Sequence, residues 1–156
     1  MKKIFIYSDG ACSGNPGRGG YGTILVYNGN RKELSAGYKV TTNNRMELMG
    51  VIAGFEALNQ PCNVTLVSDS KYVIDALSLG WAEKWRANGW MRNKKEKAQN
   101  PDLWQRLFDA MEAHTVTYMW VKGHAGHAEN ERCDFLAVSA YQGENLLEDT
   151  EYINNK

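Results

Sequence analysis

Two apolar runs of the same form each end in an aspartate: Ile4-Phe5-Ile6-Tyr7-Ser8-Asp9 and Val64-Thr65-Leu66-Val67-Ser68-Asp69. Both read as strands, with Phe5, Tyr7 and Asp9 on one face of the first and Thr65, Val67 and Asp69 on one face of the second. An acid at the C-terminal end of an apolar strand lies on the rim where α/β sheets bind ligands, and here that placement occurs twice. Two more acids stand at element junctions, Glu47 in TTNNRMELM and Asp134 in NERCD. Carboxylates gathered at one place repel one another unless one takes up a proton or cations neutralise them. Oxygen-only ligands suit Mg²⁺ or Mn²⁺, so the pattern points to metal-assisted phosphate chemistry.

The rest of the chain supplies a sheet to carry these acids. After Asp9, GACSGNPGRGGYG is too irregular for a helix and lacks the Lys-Ser/Thr ending of a phosphate-binding loop, so it reads as a tight exposed turn. TILVY and the segment around ELSAGYKV are strands joined by the hairpin signal Asn28-Gly29. A helix is expected from about Asn44 to Leu58, with Met46, Met49, Ala53 and Ala57 in one apolar row. Ser70 can cap a helix running to Leu79, a short helix carries Trp81 and Trp85, and Asn100-Pro101-Asp102 starts another that runs to about Ala113. TVTYMWV is a fifth strand, followed by KGHAGHA and a last helix with Asp134, Leu136 and Tyr141. The expected architecture is α/β: a five-stranded mixed sheet, three antiparallel strands and then parallel ones, with helices on both faces.

At 156 residues the chain is long enough for one domain with a substantial core. The opening MKKIFIYSDG has too short an apolar run for a signal peptide, and no stretch approaches membrane-spanning length, so the expected location is the cytoplasm. Cys12, Cys62 and Cys133 are odd in number without paired spacing, and reduced thiols are expected. Eighteen basic side chains balance eighteen acidic ones, yet their distribution is uneven. Lys84, Arg86, Arg92, Lys94, Lys95 and Lys97 face only Glu83 and Glu96 between Trp81 and Lys97, whereas Glu144, Glu148, Asp149 and Glu151 crowd the end. A basic patch and an acidic tail are therefore hidden by overall neutrality. Residues 143–156 are expected to form a weakly ordered acidic tail after a catalytic domain of residues 1–142.

DGACSGNPGRGGYG, TTNNRMELM, SDSKYV, NPDLWQRL and WVKGHAGHAENERCD together resemble the bacterial ribonuclease HI family, over roughly Lys3 to Tyr141. The resemblance implies hydrolysis of the RNA strand of RNA–DNA hybrids, with two divalent ions held by Asp9, Glu47, Asp69 and Asp134. Two cations about 4 Å apart can meet different oxygens of one phosphodiester, one activating water and one stabilising the departing 3′ oxygen, which leaves a 5′-phosphate and a 3′-hydroxyl. Asp9 is expected to bridge the ions, Asp69 and Asp134 to serve the water side, and Glu47 the leaving-group side. His124, in a glycine-flanked loop, is implied to shuttle a proton or assist product release. No organic cofactor is expected, and the enzyme should act as a monomer.

Ordinary structural readings stand beside these. Glu47 lies three residues after Asn44 and could complete a capping box, Asp134 could be a plain helix acid, and Asp69 a strand-end turn residue. His124, His127 and Cys133 could be three zinc ligands, although structural zinc wants a fourth soft ligand and no other cysteine or histidine is near in sequence. His114, near a helix C-terminus, reads as a favourable end-of-helix residue. A DNA-cutting nuclease of the same fold and a non-catalytic hybrid-binding module are the competing functions; the histidine loop disfavours the first and the intact acid set the second.

Recognition of RNA through its 2′-hydroxyls needs short polar groups and backbone amides against a shallow minor groove. Cys12, Ser13, Asn15, Asn43, Asn44 and Glu47 supply them. By resemblance, Thr42 and Asn100 form a pocket for a DNA phosphate, although relatives often carry an arginine where this chain has Val40. Lys71 stands where relatives often have glutamine. The segment from Trp81 to Lys97 resembles a basic protrusion in which Trp81, Trp85, Lys84, Arg86, Lys94, Lys95 and Lys97 track the DNA backbone, while the tryptophans fit core packing equally well.

Overall fold

Strand β1 does not stop at Asp9. In the computed structural model, which describes residues 1–123 and 126–154, β1 runs Lys2–Ser13 and β2 runs Gly17–Tyr27. Gly10 to Ser13 pair with Tyr21 to Arg18, so most of the segment expected to be a tight exposed turn is antiparallel sheet. Only residues 14–16 turn, around a cis Asn15–Pro16 peptide. The glycines serve close packing here rather than looseness. A Cβ on Gly22 would lie 2.2 Å from the Cys133 carbonyl oxygen, so the last helix rests directly on the β2 backbone.

The hairpin to β3 (Asn30–Thr41) turns at Asn28 and Gly29, whose φ values of 50° and 80° match the left-handed pair that such two-residue turns require. β4 (Cys62–Ser68) and β5 (Thr115–Trp120) complete a sheet ordered β3-β2-β1-β4-β5, antiparallel over the first three strands and parallel from β1 to β5. The parallel pairing of β1 with β4 sets Ser8 beside Ser68, which brings the ends of the two acid-terminated runs together.

Helix α1 (Asn43–Glu56) begins one residue earlier than expected, because Thr42 is the cap: its hydroxyl accepts from the Arg45 amide. Its buried surface is wider than one row. Leu48, Val51, Ile52 and Phe55 are buried along with Met46 and Met49, while Ala57 is exposed, since α1 lies against β1 and β2 and also against α4 (Pro101–Met111). Ser70 caps α2 (Lys71–Ser78) by accepting from the Val73 amide. α3 (Trp81–Ala87) follows, and Trp85 and Trp104 meet edge to face at 6.0 Å. On the opposite sheet face, α5 (Ala128–Gln142) crosses β1, β2 and β3. Two layers of helix thus sandwich the sheet, with the main core between the sheet and α1, α2 and α4.

The segment after α5 departs from the expected weakly ordered tail. Leu147 pairs with β3, its amide donating to Gly37 and its carbonyl accepting from Lys39, and Asp149 is buried against Arg45 ahead of a short α6 (Thr150–Asn154). Local composition signalled an acidic surface stretch of chain; the fold supplies a buried cation for one of its acids. None of the described helices is long and apolar enough to cross a membrane.

Candidate active site

Asp9 on β1, Glu47 on α1 and Asp69 after β4 each offer a carboxylate oxygen, and these atoms all lie within 4.8 Å of one another. Three elements make this meeting. The end of β1 carries Asp9, the next residue approaches α1 closely enough for its amide to donate to both Asp9 and Glu47, and the parallel β4 delivers Asp69 from the other side. Glu47 is therefore no capping-box residue. Thr42, not Asn44, occupies the cap, and the Glu47 carboxylate points across to Gly10.

Electrostatics show how uncomfortable the cluster is without a cation. Burial first, and then the charges of Glu47 and Asp69, push Asp9 up to about 10; Asp134 on α5 is near enough to add to the rise. Burial likewise raises Glu47 to about 7, moderated by its bond to Asp9 and aided by the Asp69 charge. The pair therefore keeps a proton at neutral pH unless a cation replaces it. A buried set of oxygens of this kind fits a hard divalent ion. Asp134 is half-buried and outside the tight trio, so the structure brings three of the four acids into contact and sets the fourth beside them.

Ser70 was legible only as a cap. Its hydroxyl lies near enough to the Glu47 carboxylate to lower the pKa of that acid, and its own amide donates to the Ser68 hydroxyl at 3.1 Å, so one residue couples the start of α2 to the acid cluster. Trp120 adds a second support, its indole N–H donating to the Asp69 carbonyl at 3.0 Å. Lys71 sits with its ammonium 4.9 Å from the centre of the Trp120 ring, a cation–π position that accounts for an exposed lysine beside Asp69.

The histidines divide. His124 lies outside the described residues. His114 does not cap a helix as a cation: its Nδ1 accepts from the Cys62 amide at 3.1 Å, and burial lowers its pKa, so it ties the turn before β5 to the start of β4 in neutral form. His127 is exposed at the start of α5. Cys133 is fully buried, and burial raises its thiol pKa, which disfavours the thiolate that zinc needs. Among the described residues the only metal-competent grouping is the carboxylate trio.

A cleft of about 670 Å³ is lined by Asn15, Thr42, Asn44, Arg45, Asn100, Lys97, Asp102 and residues of α6. The hairpin tip joins it through Asn15, whose side-chain oxygen accepts from the Asn43 amide at 3.1 Å. Asn100 is not a side-chain cap. It holds a left-handed backbone (φ 57°), and its amide bonds Arg45 and Tyr72 instead. Cys12 is half-buried, its thiol near the carbonyls of Gly17 and Thr41, and Ser13 is exposed at the hairpin end.

The basic segment splits between surfaces. Lys97 lines the Thr42–Asn100 cleft, whereas Lys94 and Lys95 are exposed in the loop after Trp90. Trp81, Trp85, Tyr72, Arg92 and Gln99 line a neighbouring groove, so the half-buried Trp85 serves both packing and surface. Lys84 is exposed on α3. Arg86 stacks 4.3 Å over the Phe108 ring and lines a separate cavity with Glu83, Asp109 and Glu112, carboxylates that a phosphate would have to meet.

Known proteins agree with this geometry. A family model described as RNase H matches residues 1–142. The chain is 64% identical over 146 residues to a ribonuclease H of Desulforamulus reducens, covering 94% of this chain and 92% of that one. It is 61% identical over 153 residues to a ribonuclease H of Rippkaea orientalis, covering 98% and 94%. Among solved structures, LC9-RNase H1, a type 1 RNase H with the type 2 active-site motif, superposes with a TM-score of 0.83 at 32% identity, over all of this chain and 82% of that one. With matches of this extent to both sequence and fold, the chain belongs to the RNase H family.

Proposed function

We propose that this chain is an endoribonuclease that hydrolyses the RNA strand of RNA–DNA hybrids, acting as a monomer in the cytoplasm and leaving 5′-phosphate and 3′-hydroxyl ends. The observation that carries the reading is the trio Asp9, Glu47 and Asp69, its oxygens within 4.8 Å of one another at the rim of the sheet. Asp9, Glu47, Asp69 and Asp134 would hold two divalent cations, Mg²⁺ or Mn²⁺, which activate water and stabilise the departing 3′ oxygen.

The chain's own residues bind and orient the hybrid. Cys12, Ser13 and Asn15 on the β1–β2 hairpin, with Asn43 and Asn44 at the start of α1, present small polar groups beside the acids, suited to RNA 2′-hydroxyls in a shallow groove. Thr42 and Asn100 receive a DNA phosphate. The Arg45 charge in that cleft is already matched by Asp102 and Asp149, which leaves Lys97 as the cation for the phosphate where Val40 supplies none. Lys84, Lys94, Lys95, Trp81 and Trp85 extend the surface along the DNA backbone, and Arg86 is not part of it. His124 moves a proton at the leaving group or assists product release.

One incubation tests the reading: the protein with end-labelled RNA–DNA hybrid, double-stranded RNA or double-stranded DNA, with Mg²⁺ or with EDTA. Cleavage of the RNA strand of the hybrid alone, abolished by EDTA, is the expected result. Cleavage of duplex DNA, or binding of hybrid without cleavage, overturns it.

A further inference from the structure

Arg45 is 3% exposed on the first turn of α1, and its five hydrogen bonds occupy the five donors of its guanidinium. Nε and Nη2 donate to Asp149 at 2.7 and 3.0 Å, Nη1 and Nη2 to Asp102 at 3.0 and 2.7 Å, and Nη1 to the Asn100 side-chain oxygen at 3.2 Å. Although Arg45 lines the cleft, it has no donor left for a phosphate, and two carboxylates outweigh its charge.

Its effect on Asn100 is different. A guanidinium only donates, so the atom of the Asn100 amide that faces Arg45 has to be the oxygen. The amide nitrogen then lies on the other side, where one N–H meets the Tyr72 hydroxyl at 3.3 Å and the other remains for a ligand in the cleft. Rotated by half a turn, the same amide would offer a carbonyl oxygen to a phosphate, which repels it.

We infer that Asp149, more than a hundred positions from Arg45, is a positioning residue for the substrate: by holding Arg45 it orients the Asn100 amide as a phosphate donor. Asp149 is well anchored for this. Its Oδ2 also accepts from the Thr41 hydroxyl at 2.7 Å, next to Thr42, and the preceding Leu147 is paired with β3. Without the Asp149 carboxylate, two buried guanidinium donors lose their acceptors, the guanidinium shifts toward Asp102, and the Asn100 amide is no longer held. The acidic segment after α5 thereby becomes part of the substrate-binding apparatus. The inference rests on the reading of the Thr42–Asn100 cleft as a phosphate site.

The experiment uses hybrids in which each DNA-strand phosphate in turn is replaced by an uncharged methylphosphonate. In the unaltered protein one position should raise KM sharply; absence of any such position would remove the cleft reading, and with it the inference. Asp149→Asn should raise KM for the unmodified hybrid about tenfold or more, the loss of one hydrogen bond to a charged group. Its kcat should stay within about twofold, and the penalty of the methylphosphonate should shrink, since Thr42 and Lys97 still face the phosphate. Arg45→Lys keeps a cation between the carboxylates but loses the bond to Asn100, and carries the same test should Asp149→Asn fail to fold by circular dichroism. A folded variant that keeps both its KM and its methylphosphonate penalty overturns the inference while leaving the cleft reading intact. Equal falls in kcat and kcat/KM overturn it as well, because orientation of a remote phosphate should not alter the chemical step.

Discussion

The backbone amide of Gly10 donates to the Glu47 carboxylate across a gap that no side chain could share: a Cβ on Gly10 would lie 2.4 Å from the Glu47 amide nitrogen. α1 and β1 are in direct contact at the acid cluster, and the spacing of Asp9 and Glu47 depends on that contact. Gly10→Ala should push the start of α1 away, costing about 1–3 kcal/mol as an overpacked site. A fall in melting temperature together with a higher Mg²⁺ requirement for cleavage is expected. Retention of full activity at unchanged Mg²⁺ requirement would show that the acid spacing tolerates the shift.

Asp9→Asn removes one charge from the crowded trio. Cleavage should nearly vanish while hybrid binding persists, since the binding surface lies on other residues; near-normal activity with Mg²⁺ would sink the assignment. Stability should change with a definite sign. Asp9 at about 10 and Glu47 at about 7 lie above their unfolded values near 4, so the folded chain holds a proton there that the unfolded chain has released. That contribution is full below about pH 4 and is lost as pH rises through neutrality toward 10. In EDTA the melting temperature should therefore fall between about pH 5 and 9, with a shallower fall in Asp9→Asn and a higher melting temperature at pH 8. A variant that melts lower than the unaltered protein at pH 8 contradicts the crowding.

Ser70 caps α2, and its hydroxyl sits close enough to Glu47 to lower the pKa of that acid. Ser70→Ala should cost about 1 kcal/mol through the cap alone. A role at the site adds a drop in kcat with little change in KM, and Ser70→Thr, which keeps the hydroxyl, should restore it. Loss of stability without any kcat effect would confine Ser70 to the cap.

The lysines of the basic segment should separate. Removing one lysine–phosphate pairing lowers the slope of log affinity against log salt by roughly 0.7 to 0.9. Lys94→Ala with Lys95→Ala should lower that slope and raise KM at similar kcat, uniformly across sequences. Lys97→Ala should also reduce the KM penalty of a methylphosphonate in the DNA strand, because Lys97 lines the Thr42–Asn100 cleft and the other two do not. Identical behaviour of the three on modified and unmodified hybrids would return Lys97 to the general basic surface.

What could be read from the chain alone was local or periodic. The acid-terminated strands, the Asn28-Gly29 hairpin and the Ser70 cap depend on neighbours a few residues away, and the fold class follows from their order. Asp9 and Asp69 were legible as a pair because strand ends in an α/β sheet gather at one rim, whereas Glu47, on helix α1, joined them only through the family resemblance. What only the tertiary structure decided depends on partners far apart in the chain. The glycines after Asp9 look like a loop until helices α1 and α5 are laid against them. His114 looks like a helix-end cation until the Cys62 amide claims its Nδ1. Asn100 looks like a cap and Asp149 like part of a solvated tail until Arg45 is buried between them, and no local pattern marks an acid that will meet its cation 104 positions away. Burial makes such a pairing obligatory: a guanidinium withdrawn from water must find acceptors for its donors, and the folded chain takes them from wherever the topology brings them.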